Sequence, residues 1–129
     1  MKFLDAALVN VLQIARRAGS EIMQHRARAG SVTPSAYKND STLVTEADLA
    51  SHRCIIHALA SSYPQVPCVS EEDEPNQEKA LPHPWSPYWL IDPLDGTRGF
   101  IHQSPQFTVN IALIDHGRPI LGVIYAPAL

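Results

Sequence analysis

Apolar residues recur in steps of three and four from the start of the chain. Leu4, Leu8, Val11, Ala15, Ala18 and Ile22 form one stripe, the spacing of an amphipathic helix over about residues 3–27. Gly19 interrupts that helix. Glycine costs stability there, so its presence predicts close packing against a neighbour. Residues 29–41 are small, polar and turn-forming, with Pro34, and read as a mobile loop. Thr45-Glu46-Ala47-Asp48 has the form of a capping box, with Asp48 at the third helical position. It predicts a second helix with Leu49, Ile56 and Leu59 on the buried side, ending at Tyr63-Pro64.

Beyond this helix the period shifts towards two. Residues 66–69 are a short β-like piece, followed by the acidic run Glu71-Glu72-Asp73-Glu74. Residues 75–87 hold four of the 11 prolines and read as a loop. Residues 88–91 form an apolar strand. Phe107, Val109, Ile111 and Leu113 alternate with Thr108, Asn110 and Ala112, the pattern of a half-buried strand. Asp115-His116-Gly117-Arg118 is a turn, with Gly117 suited to a positive φ, and residues 120–125 return as a hairpin. The last strand ends at Ala126-Pro127-Ala128-Leu129, with nothing after it to cover its open edge. Long apolar edges are seldom bare, so the expectation is a shortened chain, or one completed by another polypeptide. The predicted fold class is layered α/β (α+β): two helices on a mostly antiparallel sheet, in a single unit over residues 1–129.

Composition narrows the chemistry. The 129 residues are 45% hydrophobic and 18% charged, with a net charge of −3 and a pI near 6.0. One soluble domain with a modest core is expected. There is no basic footprint for a nucleic-acid polymer and no polybasic membrane patch. A phosphate ligand would have to be met by metal or by backbone N–H groups. Cys54 and Cys68 fit no zinc spacing and read as buried structural thiols of a reducing cytoplasm. Asp5 interrupts the first apolar run and no small-residue cleavage site follows, which argues against a secretory leader. No stretch is long and apolar enough for a transmembrane helix.

Four places offer metal or phosphate chemistry. Asp48 starts a helix, and Glu71 and Glu72 follow a short strand. Asp92 and Asp95 flank Pro93-Leu94 at the end of another strand, and Gly96-Thr97 can open a helical turn that presents N–H groups to an anion. Carboxylates and backbone carbonyls are the ligands of hard cations such as Mg²⁺. Each place alone has a plainer reading: a helix cap, a solvated acidic face, a tight Asp-Pro or Asp-Gly turn, a turn hydroxyl.

Taken in order, Leu43-Val44-Thr45-x-x-Asp48, Ser70-Glu71-Glu72-Asp73 and Trp89-Leu90-Ile91-Asp92-Pro93-Leu94-Asp95-Gly96-Thr97-x-x-Phe100 resemble the inositol monophosphatase superfamily of metal-dependent, lithium-sensitive phosphatases. The stretch from Phe107 to Gly117, followed by Pro119 to Pro127, looks like its CysQ branch, the 3′(2′),5′-bisphosphate nucleotidases. The resemblance spans nearly the whole chain. It implies the N-terminal metal-binding domain of such a phosphatase, which hydrolyses adenosine 3′,5′-bisphosphate to AMP. It further implies a role in sulfate assimilation in the cytoplasm, with peripheral association at the inner membrane face and a homo-oligomer both left open. Two Mg²⁺ ions are implied, with a weaker third held by Glu71 through water. Glu71, Asp92 and the Leu94 carbonyl would hold the first ion, and Asp92 and Asp95 the second. Thr97, hydrogen-bonded to Asp48, would orient the attacking water, with Glu71 also counted among the catalytic residues. Glu71, Leu94, Asp95, Gly96 and Thr97 would contact the phosphate substrate, and Lys38 matches a lysine of a loop that closes over the site.

Two departures qualify this. The family has a further metal-binding aspartate in a Trp-Asp-x-x-Ala-Gly motif, whereas Trp85 and Trp89 are the only tryptophans here and neither precedes aspartate. This chain alone is therefore expected to have little or no activity. Arg98-Gly99 stands where CysQ-like proteins carry Lys-Glu. The alternatives are an inositol-1-phosphate phosphatase, a catalytically inactive metal-binding fragment or pseudoenzyme, and a plain α+β domain with acidic turns.

Overall fold

The computed structural model describes residues 2–29, 36–38, 42–73, 83 and 85–129, with side chains described outside 27–29, 36–38 and 42–44. Helix α1 (Lys2–Ala29) follows the predicted stripe. Val11, Ile14, Ala15, Ala18 and Ile22 are all fully buried, while Leu4 is half-buried and Leu8 exposed. Strands β1 (Ala36–Lys38) and β2 (Thr42–Val44) pair antiparallel. Strand β1 and the last residue of α1 take up part of the loop expected over 29–41; residues 30–35 and 39–41 lie outside the described residues, as do Glu74 and most of the 75–87 segment.

Helix α2 (Glu46–Ser62) is capped by Thr45 with both bonds of the capping box and ends at Tyr63. Its buried side differs from the expected one. Ala47, Asp48, Ser51, Ile55 and Leu59 are buried, while Leu49 and Ile56 are half-buried. Two polar residues occupy the inner face because they have hydrogen-bond partners there. Strand β3 (Cys68–Ser70) runs parallel to β4 (Tyr88–Asp95). Helix α3 (Thr97–Ile101) follows directly, and then the antiparallel hairpin β5 (Thr108–Asp115) and β6 (Arg118–Tyr125). The hairpin turn places His116 and Gly117 at positive φ, the backbone that favours a tight right-twisted hairpin.

The sheet order is β3-β4-β5-β6, antiparallel except for the β3–β4 pair. Helices α1 and α2 cover one face. Trp89, Ile91, Val109, Ile111, Leu113 and Val123 point into the core beneath them. Leu90 and Ile124 lie on the other face, and Ile124 is 78% exposed. Cys54 and Cys68 form no disulfide and are half-buried, not fully buried as expected. Among the described residues no helix is long and apolar enough to cross a membrane.

Gly19 lets α1 settle onto the end of the hairpin. A Cβ there would lie 2.6 Å from the Tyr125 ring and 3.0 Å from Pro127. Helix propensity favours alanine over glycine by about 0.8–1 kcal/mol, but forcing a methyl into a packed contact costs typically ~1–3 kcal/mol. Gly19→Ala is therefore expected to destabilise the chain by roughly 1 kcal/mol, read as a lowered urea midpoint. An unchanged or raised midpoint would show that the contact is slack.

Candidate active site

The site is built where α2 begins, β3 and β4 end, and α3 begins. Asp48 is 1% exposed. Its Oδ2 accepts the Thr45 N–H at 3.0 Å and the Thr45 hydroxyl at 2.5 Å, and its Oδ1 accepts the Thr97 hydroxyl at 2.9 Å. Burial pushes the Asp48 carboxyl upward, and these hydrogen bonds oppose the shift. The cap and the Thr97 partner are thus one residue. The Thr97 hydroxyl also lies 3.2 Å from the Leu94 carbonyl. It has a single proton, and the shorter contact to Asp48 is the better acceptor.

Strand β4 does not stop at residue 91. It continues through Asp92-Pro93-Leu94-Asp95, and its pairing with β5 breaks register between Asp92 and Asp95. The irregularity accommodates Pro93, which cannot donate to a ladder. Ser51 of α2 donates to the Pro93 carbonyl at 2.7 Å, fixing the bend from below. Gly96 has φ 89°, and a Cβ on it would lie 3.0 Å from the Gln106 carbonyl oxygen. Both conditions demand glycine at the turn into α3.

The acidic turn is brought alongside. The Glu71 N–H bonds the Ile91 carbonyl at 3.0 Å, extending the β3–β4 pairing by one residue and setting Glu71 beside Asp92. The Ser70 N–H donates to Asp73 Oδ2 at 2.8 Å and the Glu72 N–H to the Ser70 hydroxyl at 3.2 Å, while that hydroxyl lies 2.8 Å from His52 Nδ1. Asp92 responds to this neighbourhood. Burial first, then the charges of Asp95, Glu71 and Glu72, raise its carboxyl to about 6, against the lowering effect of the Leu94 N–H.

The structure thus joins Asp48 to Thr97 and gathers Asp92, Asp95 and Glu71 into one negative field. Glu71 and Asp95 are exposed and Asp92 half-buried. Among the described residues, no three His, Cys, Asp or Glu side chains close into a ready-made metal cage. Lys38 lies on β1; its side chain is outside what the structure describes. The donor set nevertheless fits a hard divalent cation. A cation would relieve the repulsion that helps raise Asp92, and Mg²⁺ keeps several waters and takes only one or two carboxylates besides substrate oxygens.

Ser51, Ser70 and Asn110 also belong to the site region; Ser70 and Asn110 lie inside the family-like stretches and Ser51 outside them, and none is among the candidate site residues of the sequence. Ser51 was the most accessible to sequence reasoning, since it lies three residues after Asp48 and so on the same helical face. Arg26, near the C-terminal end of α1, holds the far side of α3. It donates to the carbonyls of Phe100 at 3.0 Å and Ser104 at 2.7 Å.

The raised Asp92 carboxyl has a stability consequence. Between about 3.8 and 6 the folded state holds a proton at Asp92 that the unfolded chain has lost. Its contribution is therefore present at acid pH and lost as pH rises through about 6. Asp92→Asn is expected to raise the urea midpoint of the chain at pH 7 in EDTA and to flatten its pH dependence between pH 4 and 6. A wild-type profile already flat there would contradict the assigned repulsion.

The inositol monophosphatase family pattern matches residues 5–129. The chain is 49% identical over 122 residues to the 3′(2′),5′-bisphosphate nucleotidase CysQ of Escherichia coli, covering 95% of this chain and 48% of that protein. The similarity to CysQ of Buchnera aphidicola is 45% over 126 residues, covering 98% and 45%. Among solved structures, the extragenic suppressor protein suhB from Bartonella henselae superposes with a TM-score of 0.83 at 28% identity, covering 95% of this chain and 46% of that one. CysQ from Bacteroides thetaiotaomicron does so with a TM-score of 0.70 at 29% identity, covering 98% and 44%. The chain spans about half the length of the curated relatives it matches. With the family pattern running over almost every residue, this chain belongs to the inositol monophosphatase family.

Proposed function

We propose that these residues form the N-terminal metal- and phosphate-binding domain of a Mg²⁺-dependent phosphatase acting on adenosine 3′,5′-bisphosphate, with AMP and phosphate as products. The observation that carries this reading is the 2.9 Å hydrogen bond from Thr97 to the buried Asp48, set beside the carboxylates that raise Asp92. The likeness to CysQ proteins supports the nucleotide substrate over inositol 1-phosphate. By the same likeness the proposed role is removal of the bisphosphate formed in sulfate assimilation, in the cytoplasm.

Glu71, Asp92, Asp95 and the Leu94 carbonyl are the residues that would hold Mg²⁺. When bound, the ion would supply charge neutralisation of the phosphate dianion and a more acidic attacking water. The chain's own part is orientation and proton movement. Donation of the Thr97 proton to Asp48 Oδ1 leaves the Thr97 oxygen free to accept a proton from water. Asp48, kept from solvent, is a stronger proton acceptor than a surface carboxylate, because burial disfavours its charged form. The N–H groups at Gly96 and Thr97 would face the phosphate oxygens, and by the family likeness Lys38 would be the lysine that contacts the substrate. No serine or cysteine nucleophile is required.

The test is phosphate release from adenosine 3′,5′-bisphosphate and from inositol 1-phosphate, with and without Mg²⁺. The family's further metal aspartate is not among these 129 residues, so release by this chain alone is expected to be slow, Mg²⁺-dependent and selective for the nucleotide. Asp48→Asn should abolish it while changing Mg²⁺ affinity little by calorimetry. Preference for inositol 1-phosphate would favour the other branch of the family. Equal loss of turnover and Mg²⁺ affinity would contradict the role of Asp48. Release from neither substrate would reduce the proposal for this chain to binding alone.

A further inference from the structure

We infer that Asn110 is a positioning residue of the cation site, holding Asp95 in place and turning its own amide oxygen towards the cation's shell. The inference rests on the metal-dependent reading above. The register of β5 against β4 sets Asn110 directly opposite Asp92, and residues opposite one another in an antiparallel pair share a face. Its neighbours Val109 and Ile111 are buried under the helices, so Asn110 belongs to the other face. There it lines a groove of about 370 Å³ together with Glu71 and Asp92.

The amide has two ends with different fates. Its Nδ2 lies 3.4 Å from Asp95 Oδ2 and donates to it, reaching across the irregularity in β4. Its Oδ1 is buried and has no hydrogen-bond partner among the described residues. Exchanging the two ends would set oxygen against carboxylate, acceptor against acceptor, so the orientation is dictated by Asp95. The oxygen that results is left beside carboxylate oxygens, which are acceptors like itself. A hydrated divalent cation satisfies both. An amide oxygen is a ligand for such ions or an acceptor for their water, and groups that orient ligating carboxylates set metal affinity.

The test uses the chain titrated with MgCl₂ and MnCl₂ by calorimetry, with urea midpoints measured in EDTA. Asn110→Ala is expected to weaken cation binding by about tenfold, within the range seen when outer-shell partners are removed. Its midpoint in EDTA should be unchanged or raised, because the variant no longer buries an oxygen without a donor. Asn110→Ser, which keeps one oxygen and one donor, should recover part of the affinity. A purely structural asparagine predicts the reverse: a lowered midpoint in EDTA with cation affinity intact. That result, or wild-type affinity in both variants, would overturn the inference. A wild-type chain that binds neither cation at millimolar concentration would remove the metal-dependent reading itself, and this inference with it.

Discussion

A carboxylate buried without a cationic partner must be satisfied by hydrogen bonds, and Asp48 imposes that condition on everything around it. Its two oxygens take the Thr45 N–H, the Thr45 hydroxyl and the Thr97 hydroxyl. The first two are internal to the start of α2. The third comes from the start of α3, forty-nine residues further on. The demand for donors therefore does more than cap a helix: it fixes the distance between two helix starts. Ser51, one turn along the same face of α2, extends the attachment to the Pro93 carbonyl. The bend of Asp92-Pro93-Leu94-Asp95 and the turn after it are both referred to α2. The helix N-terminus also favours the Asp48 charge, which partly offsets its desolvation.

The other carboxylates obey the opposite logic. Asp92 lies among Asp95, Glu71 and Glu72, and burial and repulsion together lift its carboxyl to about 6. When charged, Asp92 therefore costs stability in this setting. Perturbed carboxyls of this kind cluster at functional sites, and a cation that bound there would offset the cost. Asp48 is thus saturated with donors, whereas Asp92 lies among like charges that raise it. That contrast fits the division proposed above between a proton-handling group and metal ligands.

Much of the scaffold was legible because its signals are local. The stripe from Val11 to Ile22, the capping box at Thr45 and the hairpin around His116-Gly117 are each specified by residues within a turn or two of one another. The carboxylate motif was legible for the same reason. The inner face of α2 was not. Leu49 and Ile56 are more apolar than Ala47 and Ser51, yet Ala47 and Ser51 are buried and Leu49 and Ile56 only half-buried. The sequence of α2 cannot show that Ser51 has a carbonyl waiting for it on β4. Asn110 escaped notice in the same way. In the pattern it is one polar residue on the outward face of a strand, and only the register with Asp92 gives it a neighbour. The short strand β1 fell within a segment whose small polar residues read as loop, because a three-residue strand has too few positions to show a period.

Helix α3 shows how the site depends on the helical layer more than on the sheet. Five residues cannot sustain a helix in water, where nucleation alone is unfavourable. Its first residue is tied to α2 through Thr97 and Asp48, and its end is tied to α1 through Arg26. The Arg26 guanidinium donates to two carbonyls there and lies 4.6 Å and 4.7 Å from the centres of the Phe100 and Phe107 rings. Positive charge at a helix C-terminus and over aromatic faces is favourable on both counts, and the ring contacts explain how an arginine survives partial desolvation. Within α3, a Cβ on Gly99 would lie an ordinary 3.5 Å from its nearest non-local neighbour, Ser104, so no close approach requires glycine there. The Arg98-Gly99 departure therefore leaves the fastening of α3 to Asp48 and Arg26. The N–H groups proposed to meet phosphate are held by side chains reaching from α1 and α2.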